Sequence, residues 1–472
     1  MKLNLITVLI CLLSLLSFSN KNKKESNPNF IIILVDDQGW NGTSVQMMDN
    51  EINSKSDFYQ TPNIEKLAKK GIRFSSAYAS APVCAPSRYS IQFGQTPARL
   101  KMIRVGMNTS HINHLTDLTI PKQLKSINPN YVTAHFGKWG MGSSPSVLGY
   151  DESDGATGNK DGVFTQKPQG VQWENTIDED PKKMFSITKN AIEFIDRQTE
   201  SNNPFFLQLS HYAVHSNILM KEKTLKKYKN TSKGKYQKHV GFAAMTEDLD
   251  DSLGLLFDKI EELGIEENTY IIYTSDNGSV PVMPPKRFYK ESYNYPLSRG
   301  KWDATEGGIR VPFIVTGPGI EKNVESKSLI SFSDILPTII DLAGKKIKND
   351  KFLDGGSLKN VLKNHKKTKV NRNTDGLFFH VPYENGIALK RAHSAVILEN
   401  FKLMKFYDNG QLMLFDLDKD LSEKNDLSSK NLNKAVELEL LLDNYLKKVS
   451  APKWKPGIHW RNKPIKLINS FH

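Results

Sequence analysis

Phe30-Ile31-Ile32-Ile33-Leu34-Val35-Asp36-Asp37 reads as a strand closed to solvent that ends on two adjacent carboxylates. Six apolar residues without a polar interruption suit a strand covered on both faces, as in the middle of a parallel sheet. A second segment of the same kind, Tyr270-Ile271-Ile272-Tyr273, runs into Ser275-Asp276-Asn277-Gly278. Further buried strands are expected at 131–136, 204–209 and 311–316. Between them, Thr61-Pro62 opens a helix with Ile64, Leu67 and Ala68 at helical spacing and Gly71 as its stop. Phe242, Met245, Leu249, Leu253, Leu256 and Ile260 mark a long amphipathic helix over 239–263, and a shorter one is expected at 334–343. Strands alternating with helices predict an α/β fold, a mainly parallel sheet with helices on both faces. In such sheets ligands sit beyond the carboxyl ends of the strands, where both Asp-bearing ends fall.

The chain has 472 residues, enough for more than one core, and its 38% hydrophobic and 24% charged content is that of a globular protein. A Lys- and Asn-rich stretch at 345–373 is the best linker candidate. It separates a catalytic domain at 28–365 from a small α+β subdomain with an irregular tail at 374–472. Short strands at 377–379, 395–398 and 412–416 and a helix at 431–448 make up that subdomain. The N-terminus differs in character: Lys2, an apolar run from Leu3 to Phe18 and a small-residue exit at Ser17-Phe18-Ser19 describe a secretory signal over 1–19. The run is short of the ~20 residues a spanning helix needs, so no membrane span is expected. Export to a periplasmic or extracellular location follows.

Loss of that segment removes Cys11 and leaves Cys84 alone, although exported proteins normally pair their cysteines. A lone thiol there is either buried or chemically employed. The net charge of +13 favours anionic partners. Nucleic acid is not expected, because zinc-finger, RRM and helix-turn-helix signatures are lacking. Many lysines also fall in runs at 221–238 and 359–369, which read as solvated surface.

Asp36, Asp37, Asp276 and Asn277 offer hard oxygen donors at two strand ends, a set that suits calcium or magnesium better than zinc. Spacing alone leaves unrelated Asx-rich turns as an equal reading. Cys84-Ala85-Pro86-Ser87-Arg88 makes the pattern specific. C-x-P-S-R resembles the tag of formylglycine-dependent (type I) sulfatases, in which a maturation enzyme oxidises the cysteine to an aldehyde. Asp36-Asp37-Gln38-Gly39-Trp40, Gly137-Lys138-Trp139, Thr274-Ser275-Asp276-Asn277-Gly278, Arg299-Gly300-Lys301 and Glu306–Pro312 are similar to further motifs of that family, in its order. Leu414-Phe415-Asp416-Leu417 and Glu423-Lys424-Asn425-Asp426-Leu427 resemble its closing signature. The resemblance covers about 29–427 and implies an alkaline-phosphatase-like fold.

It also implies roles. One hydroxyl of the hydrated aldehyde at Cys84 attacks sulfur, and the other expels sulfate. Asp36, Asp37, Asp276, Asn277 and the modified Cys84 hold one calcium ion. Arg88 steadies the nucleophile, Lys138 and Lys301 neutralise sulfate and leaving-oxygen charge, and His215 protonates the departing alcohol, a task for a near-neutral pKa. The substrate class implied is a sulfated saccharide, from a sulfated polysaccharide. Phosphate or phosphonate ester hydrolysis by the same apparatus, and inert binding of sulfated glycans, are the competing readings. Asp154, His380, Arg391 and His393 are the residues expected to meet sugar.

Two departures stand out. Many members carry histidine where this chain has Gly140, so His135 or His211 is expected as substitute base, or release proceeds without one. Gln92-Phe93-Gly94 also replaces the usual L-T-G.

Overall fold

The computed structural model describes residues 27–162, 174–281, 293–345, 347, 351–384 and 391–455. The expected signal at 1–19 and the tail beyond 455 lie outside the described residues.

Eight strands build the main sheet: β1 (Asn29–Val35), β2 (Gly71–Phe74), β3 (Val132–Gly137), β4 (Glu152–Ser153), β5 (Phe205–Ser210), β6 (Thr269–Ser275), β7 (Phe313–Thr316) and β8 (Val324–Ser326). Their order across the sheet is β8-β2-β7-β6-β1-β5-β3-β4. From β6 to β4 every pairing is parallel, as the sequence predicts. Strand β7 lies where expected but runs antiparallel to both its neighbours.

The unbroken apolar run of β1 has a direct cause. Ile31, Ile33 and Val35 enter the core on one face, Phe30, Ile32 and Leu34 the core on the other. Neither side of the strand meets water, so no position favours a polar residue; each such side chain is worth ~1.5–3 kcal/mol of burial. Much of the cover comes from α1 (Pro62–Lys69), α2 (Cys84–Phe93), α3 (Met184–Glu200), α4 (Val240–Glu262) and α5 (Ile335–Leu342). The apolar stripes of α1, α3 and α4 meet the first face, and α2 with α5 the second.

The expected linker is not one. Leu353, Leu358, Val361, Leu362 and Val370 are buried in the core that α2 and α5 share. Lys351, Lys363, Lys366, Lys367 and Lys369 lie on its exposed side.

Beyond it, β9 (Leu377–Val381), β10 (His393–Leu398), β11 (Phe401–Phe406) and β12 (Leu412–Asp416) form an antiparallel meander. Helix α6 (Leu432–Lys448) covers one face through Leu438, Leu442 and Tyr445. The opposite face packs Phe379, Ala395, Met404 and Phe415 against Tyr78, Ala304 and Ile309 of the larger domain.

A buried ionic network fixes this junction. Lys402 of β11 is fully buried, with Nζ 3.0 Å from Glu306 Oε1 and 2.8 Å from Glu423 Oε1. Glu423 accepts from Ser298 Oγ, and from the Glu306 N–H at 2.8 Å. Glu306 also pairs with Arg310 at 2.6 Å and accepts from the Tyr78 hydroxyl at 2.9 Å. Taking the cation out of such a network leaves buried carboxylate charge uncompensated. Lys402→Met should therefore lose about 3 kcal/mol or more in denaturant unfolding, although the new side chain matches in length.

Candidate active site

Strand register assembles the centre. Val35 of β1 pairs with Ser275 of β6, so Asp36 and Asp276 emerge side by side. The ladder continues past the strands, with Asp36 N–H donating to Ala213 O at 2.9 Å and Asp276 N–H to Val35 O at 2.9 Å. Asp37 adopts φ 62°, a left-handed conformation that aspartate tolerates better than most residues. Carboxylate oxygens of Asp36, Asp37 and Asp276 and the Cys84 sulfur lie within 4.8 Å of one another, all buried.

Three carboxylates out of water need compensation. Each has its own cation. Lys138 Nζ is 2.5 Å from Asp36 Oδ2, Lys301 Nζ is 2.6 Å from Asp37 Oδ2, and Arg88 Nε donates to Asp276 Oδ2 at 2.9 Å. Burial by itself would raise the Asp36 carboxyl, but the charges of Lys138, Arg88 and Lys301 hold it far below the usual range. Asp276, buried and repelled by Asp36, is pushed up to about 6. Lys301 is held above its usual range, because the carboxylates of Asp37 and Asp36 outweigh its burial.

The donor set fits a hard cation. Asn277 Nδ2 donates to Asp37 Oδ1 at 2.8 Å, while its Oδ1 is buried without a hydrogen-bond partner among the described residues. An orphaned amide oxygen beside three carboxylates is what a calcium-type ion would satisfy.

Cys84 is the first residue of α2, where the helix dipole favours negative charge. Its sulfur lies 3.5 Å from Asp36 Oδ1 and 3.5 Å from Lys301 Nζ. Burial, then Asp276, raises the thiol well above its usual value, so the sulfur keeps its proton. Arg88 follows one turn later on the same face, which is the physical meaning of the five-residue spacing. Besides Asp276, it donates through Nη1 to Lys138 O. Ser87 Oγ accepts from Ala81 N–H at 3.1 Å and donates to Ala81 O at 2.8 Å, pinning the approach to the helix.

Gly137 ends β3 at φ 90°, and a Cβ there would fall 2.0 Å from Ser210 O. Only glycine lets β3 reach β5 and deliver Lys138. Lys301 arrives on a tight loop with Arg299 and Trp302 at positive φ, braced by the 2.8 Å pair between Arg299 and Asp303.

His215 has 17% of its side chain exposed, more than the charged groups around it. Nδ1 donates to Ser216 O at 2.6 Å, which leaves the Nε2 lone pair facing Asp37 Oδ2 at 3.6 Å. Burial, then Lys301, pulls the ring down to about 4. Relative to the near-neutral titration expected from sequence, burial displaces the ring downward.

Neither candidate for a substitute base is hydrogen-bonded to Cys84 among the described residues. His135 Nε2 contacts Ser210 Oγ at 3.1 Å, and its ring meets Trp139 and Tyr150 edge-on. His211 is fully buried with both ring nitrogens unpartnered among the described residues. Burial depresses both rings to about 3. The departure at Gln92 is absorbed: its Nε2 donates to Gln208 Oε1 of β5 at 2.6 Å and to Tyr150 Oη at 2.9 Å.

The residues expected to meet sugar have other partners. Asp154 Oδ2 accepts from Gly137 N–H at 2.7 Å and so steadies the strand end before Lys138. His380 is buried, with Ser394 Oγ on one nitrogen and Pro452 O on the other. Arg391 pairs with Asp408 at 2.7 Å, and His393 Nε2 accepts from Ala304 N–H at 2.9 Å. These three are committed inside the small subdomain and its junction.

One residue was missed. Lys182, in the turn Pro181–Lys183 ahead of α3, is fully buried, and the charges of Asp36, Lys138 and Asp37 act on it. Its sequence context, Asp178-Glu179-Asp180-Pro181-Lys182-Lys183, reads as a charged surface turn.

A buried cysteine at a helix N-terminus, a carboxylate cluster for a hard cation and three converging cations define a hydrolase centre for oxyanion esters. The model described as Sulfatase matches residues 28–345, and that for N-sulphoglucosamine sulphohydrolase, C-terminal, matches 301–451. The chain belongs to the sulfatase family, whose activity is sulfuric ester hydrolysis. It is 27% identical over 520 residues to a sulfatase of Formosa agariphila, covering 92% of this chain and 91% of the relative. The N-acetylgalactosamine-6-sulfatase of Rattus norvegicus is 29% identical over 363 residues, 70% of this chain and 64% of its own length. Among solved structures, Ps i-CgsB in complex with k-i-k-neocarrahexaose superposes with a TM-score of 0.73 at 24% identity, over 91% of this chain and 94% of the other. These likenesses fix the alkaline-phosphatase-like fold.

Gly140 sits at φ 70°, and a Cβ there would lie 3.2 Å from Arg88 Cδ and 3.6 Å from Lys138 Cε. Restoring a histidine should harm rather than help. Gly140→His is expected to lower kcat/KM on an aryl sulfate at least tenfold and to reduce the melting temperature, from backbone strain of ~1–2 kcal/mol and displacement of both cations.

Proposed function

We propose that the protein hydrolyses sulfate esters on saccharides derived from a sulfated polysaccharide, with a formylglycine made from Cys84 and one bound calcium ion. The observation that carries this reading is the single buried constellation of Asp36, Asp37, Asp276, Asn277, Cys84 and their three cations. The saccharide part is supported by the rat N-acetylgalactosamine-6-sulfatase, the neocarrahexaose complex and a structural neighbour bound to its substrate D-glucosamine-2-N,6-O-disulfate. Asp36, Asp37, Asp276 and Asn277 would hold the ion, which would lower the pKa of a coordinated hydroxyl and polarise an S–O bond.

The chain's own groups do the rest. Arg88 keeps Asp276 in place and, through Lys138 O, the Gly137-Lys138 turn. Lys138 and Lys301 bring positive charge to the sulfuryl oxygens and the departing oxygen. His215, the ionisable group nearest solvent, presents its Nε2 to the centre; that nitrogen would take up the proton released by the attacking hydroxyl and pass it to the departing alcohol. The leader at 1–19 would export the chain, and a formylglycine-generating enzyme is its maturation partner.

Peptide mass spectrometry of active protein should find an aldehyde at position 84, and Cys84→Ala should abolish turnover while the fold is kept. Full activity with an unmodified thiol would refute the mechanism. Matched aryl sulfate and aryl phosphate should be hydrolysed with sulfate strongly preferred. A chelator should remove activity that calcium restores; elemental analysis finding zinc would refute the ion assignment. Asp37→Asn should lose most bound metal and most activity.

A further inference from the structure

Lys138 sits in a turn with little stiffness of its own. Gly137 before it and Gly140 after it adopt φ 90° and 70°, so the course of the turn is set by what binds it from outside. One such bond runs from Lys138 N–H to Ser210 O of β5 at 2.8 Å. Others come from the loop that follows β4. That edge strand pairs in parallel with β3, Ala134 opposite Glu152 and His135 opposite Ser153. Asp154 N–H continues the ladder to His135 O at 3.2 Å. The chain therefore leaves the sheet beside the end of β3, close to the Lys138 turn.

Thr157 makes the contact. Its N–H donates to Gly155 O at 2.9 Å, which closes the loop on itself. Its hydroxyl donates to Gly137 O and accepts from Trp139 N–H at 2.9 Å. Its carbonyl accepts from Gly140 N–H at 2.9 Å. With Asp154 Oδ2 on the Gly137 N–H, one loop holds peptide groups on both sides of Lys138. The hydroxyl alone spans the lysine, donating before it and accepting after it, a task among short side chains for Ser or Thr. The far end of the loop rests on the residues that lead to His215: a Cβ on Gly162 would lie 2.6 Å from the Tyr212 ring.

We propose that Thr157 is a positioning residue for Lys138, its hydroxyl fixing the peptides on either side of the lysine so that the ammonium lies between Asp36 and the incoming sulfuryl group. This rests on the sulfatase reading above. It gives a role to a residue outside every motif quoted for the family. Lys138 reaches Asp36 Oδ2 through a long, rotatable side chain, and such a chain returns to one place only from a fixed backbone. A catalytic charge displaced by ~1 Å can cost about 10²-fold in rate.

The test uses matured wild type, Thr157→Val and Thr157→Ser, each also combined with Lys138→Met, assayed on an activated aryl sulfate and for inhibition by inorganic sulfate. Valine keeps the shape and removes both hydroxyl bonds. Thr157→Val should lower kcat/KM and raise the sulfate inhibition constant by about 10–100-fold, and Thr157→Ser should restore most of both. Lys138→Met leaves no ammonium to position, so adding Thr157→Val to it should change kcat/KM by no more than about twofold. Wild-type kcat/KM and inhibition constant in Thr157→Val overturn the proposal. A Thr157→Val loss that multiplies in full with that of Lys138→Met also overturns it, making the threonine structural. Should Thr157→Val fail to fold, Thr157→Ala is read by the same criteria. Wild type that turns over no sulfate ester overturns the sulfatase reading and this proposal with it, a result distinct from normal turnover in the variant.

Discussion

Three carboxylates lie buried side by side in one pocket, and their compensation governs the rest of the molecule. Asp36, Asp37 and Asp276 each have one cation within 2.9 Å, drawn from three separate parts of the chain. Lys138 follows β3, Arg88 lies on α2, and Lys301 is carried by a loop beyond β6. Uncompensated, any one carboxylate would take up a proton or destabilise the fold by several kcal/mol. The elements bearing the cations must therefore meet at one strand-end edge, and the fold is the arrangement that lets them.

Backbone constraints enforce that meeting. Gly137 lets β3 close on Ser210 O, so that Lys138 emerges level with Asp36. The loop of Lys301 is held from outside the larger domain: Glu423 binds Ser298 and Glu306, and His393 accepts from Ala304. The small subdomain thus braces the catalytic loop, and this gives the closing signature a physical role. Its glutamate is part of the support for the loop that carries Lys301 to Asp37.

Much of this was legible in the sequence. Runs such as Phe30–Val35 announce strands buried on both faces because no polar residue is affordable there, and the carboxylates at their ends mark the site. Signals that depend on partners across the fold were not. Strand β7 reads as buried, but its direction depends on the sheet neighbours it meets. The 345–373 stretch looks like a linker because its lysines outnumber the five apolar residues that anchor it. His380, Arg391 and His393 looked available because sequence does not show Ser394, Asp408 or Ala304 beside them. Lys182 was hidden for the converse reason: an acidic, proline-containing turn gives no hint that one of its lysines points inward.

The charge balance also explains why the centre suits a metal ion and an anionic ester together. Three carboxylates and three cations satisfy one another, so the resting site is close to neutral. A divalent cation taken by the carboxylates would weaken the hold of Lys138, Lys301 and Arg88 on their partners and leave positive charge in a buried pocket. That excess is tolerable only if an anion arrives to meet it. The sulfuryl group of an ester supplies such an anion at the point where the charge converges, and the attraction grows as negative charge builds on the departing oxygen. On the proposed mechanism, the cations that stabilise the fold by holding carboxylates would also stabilise the reaction by holding oxyanions.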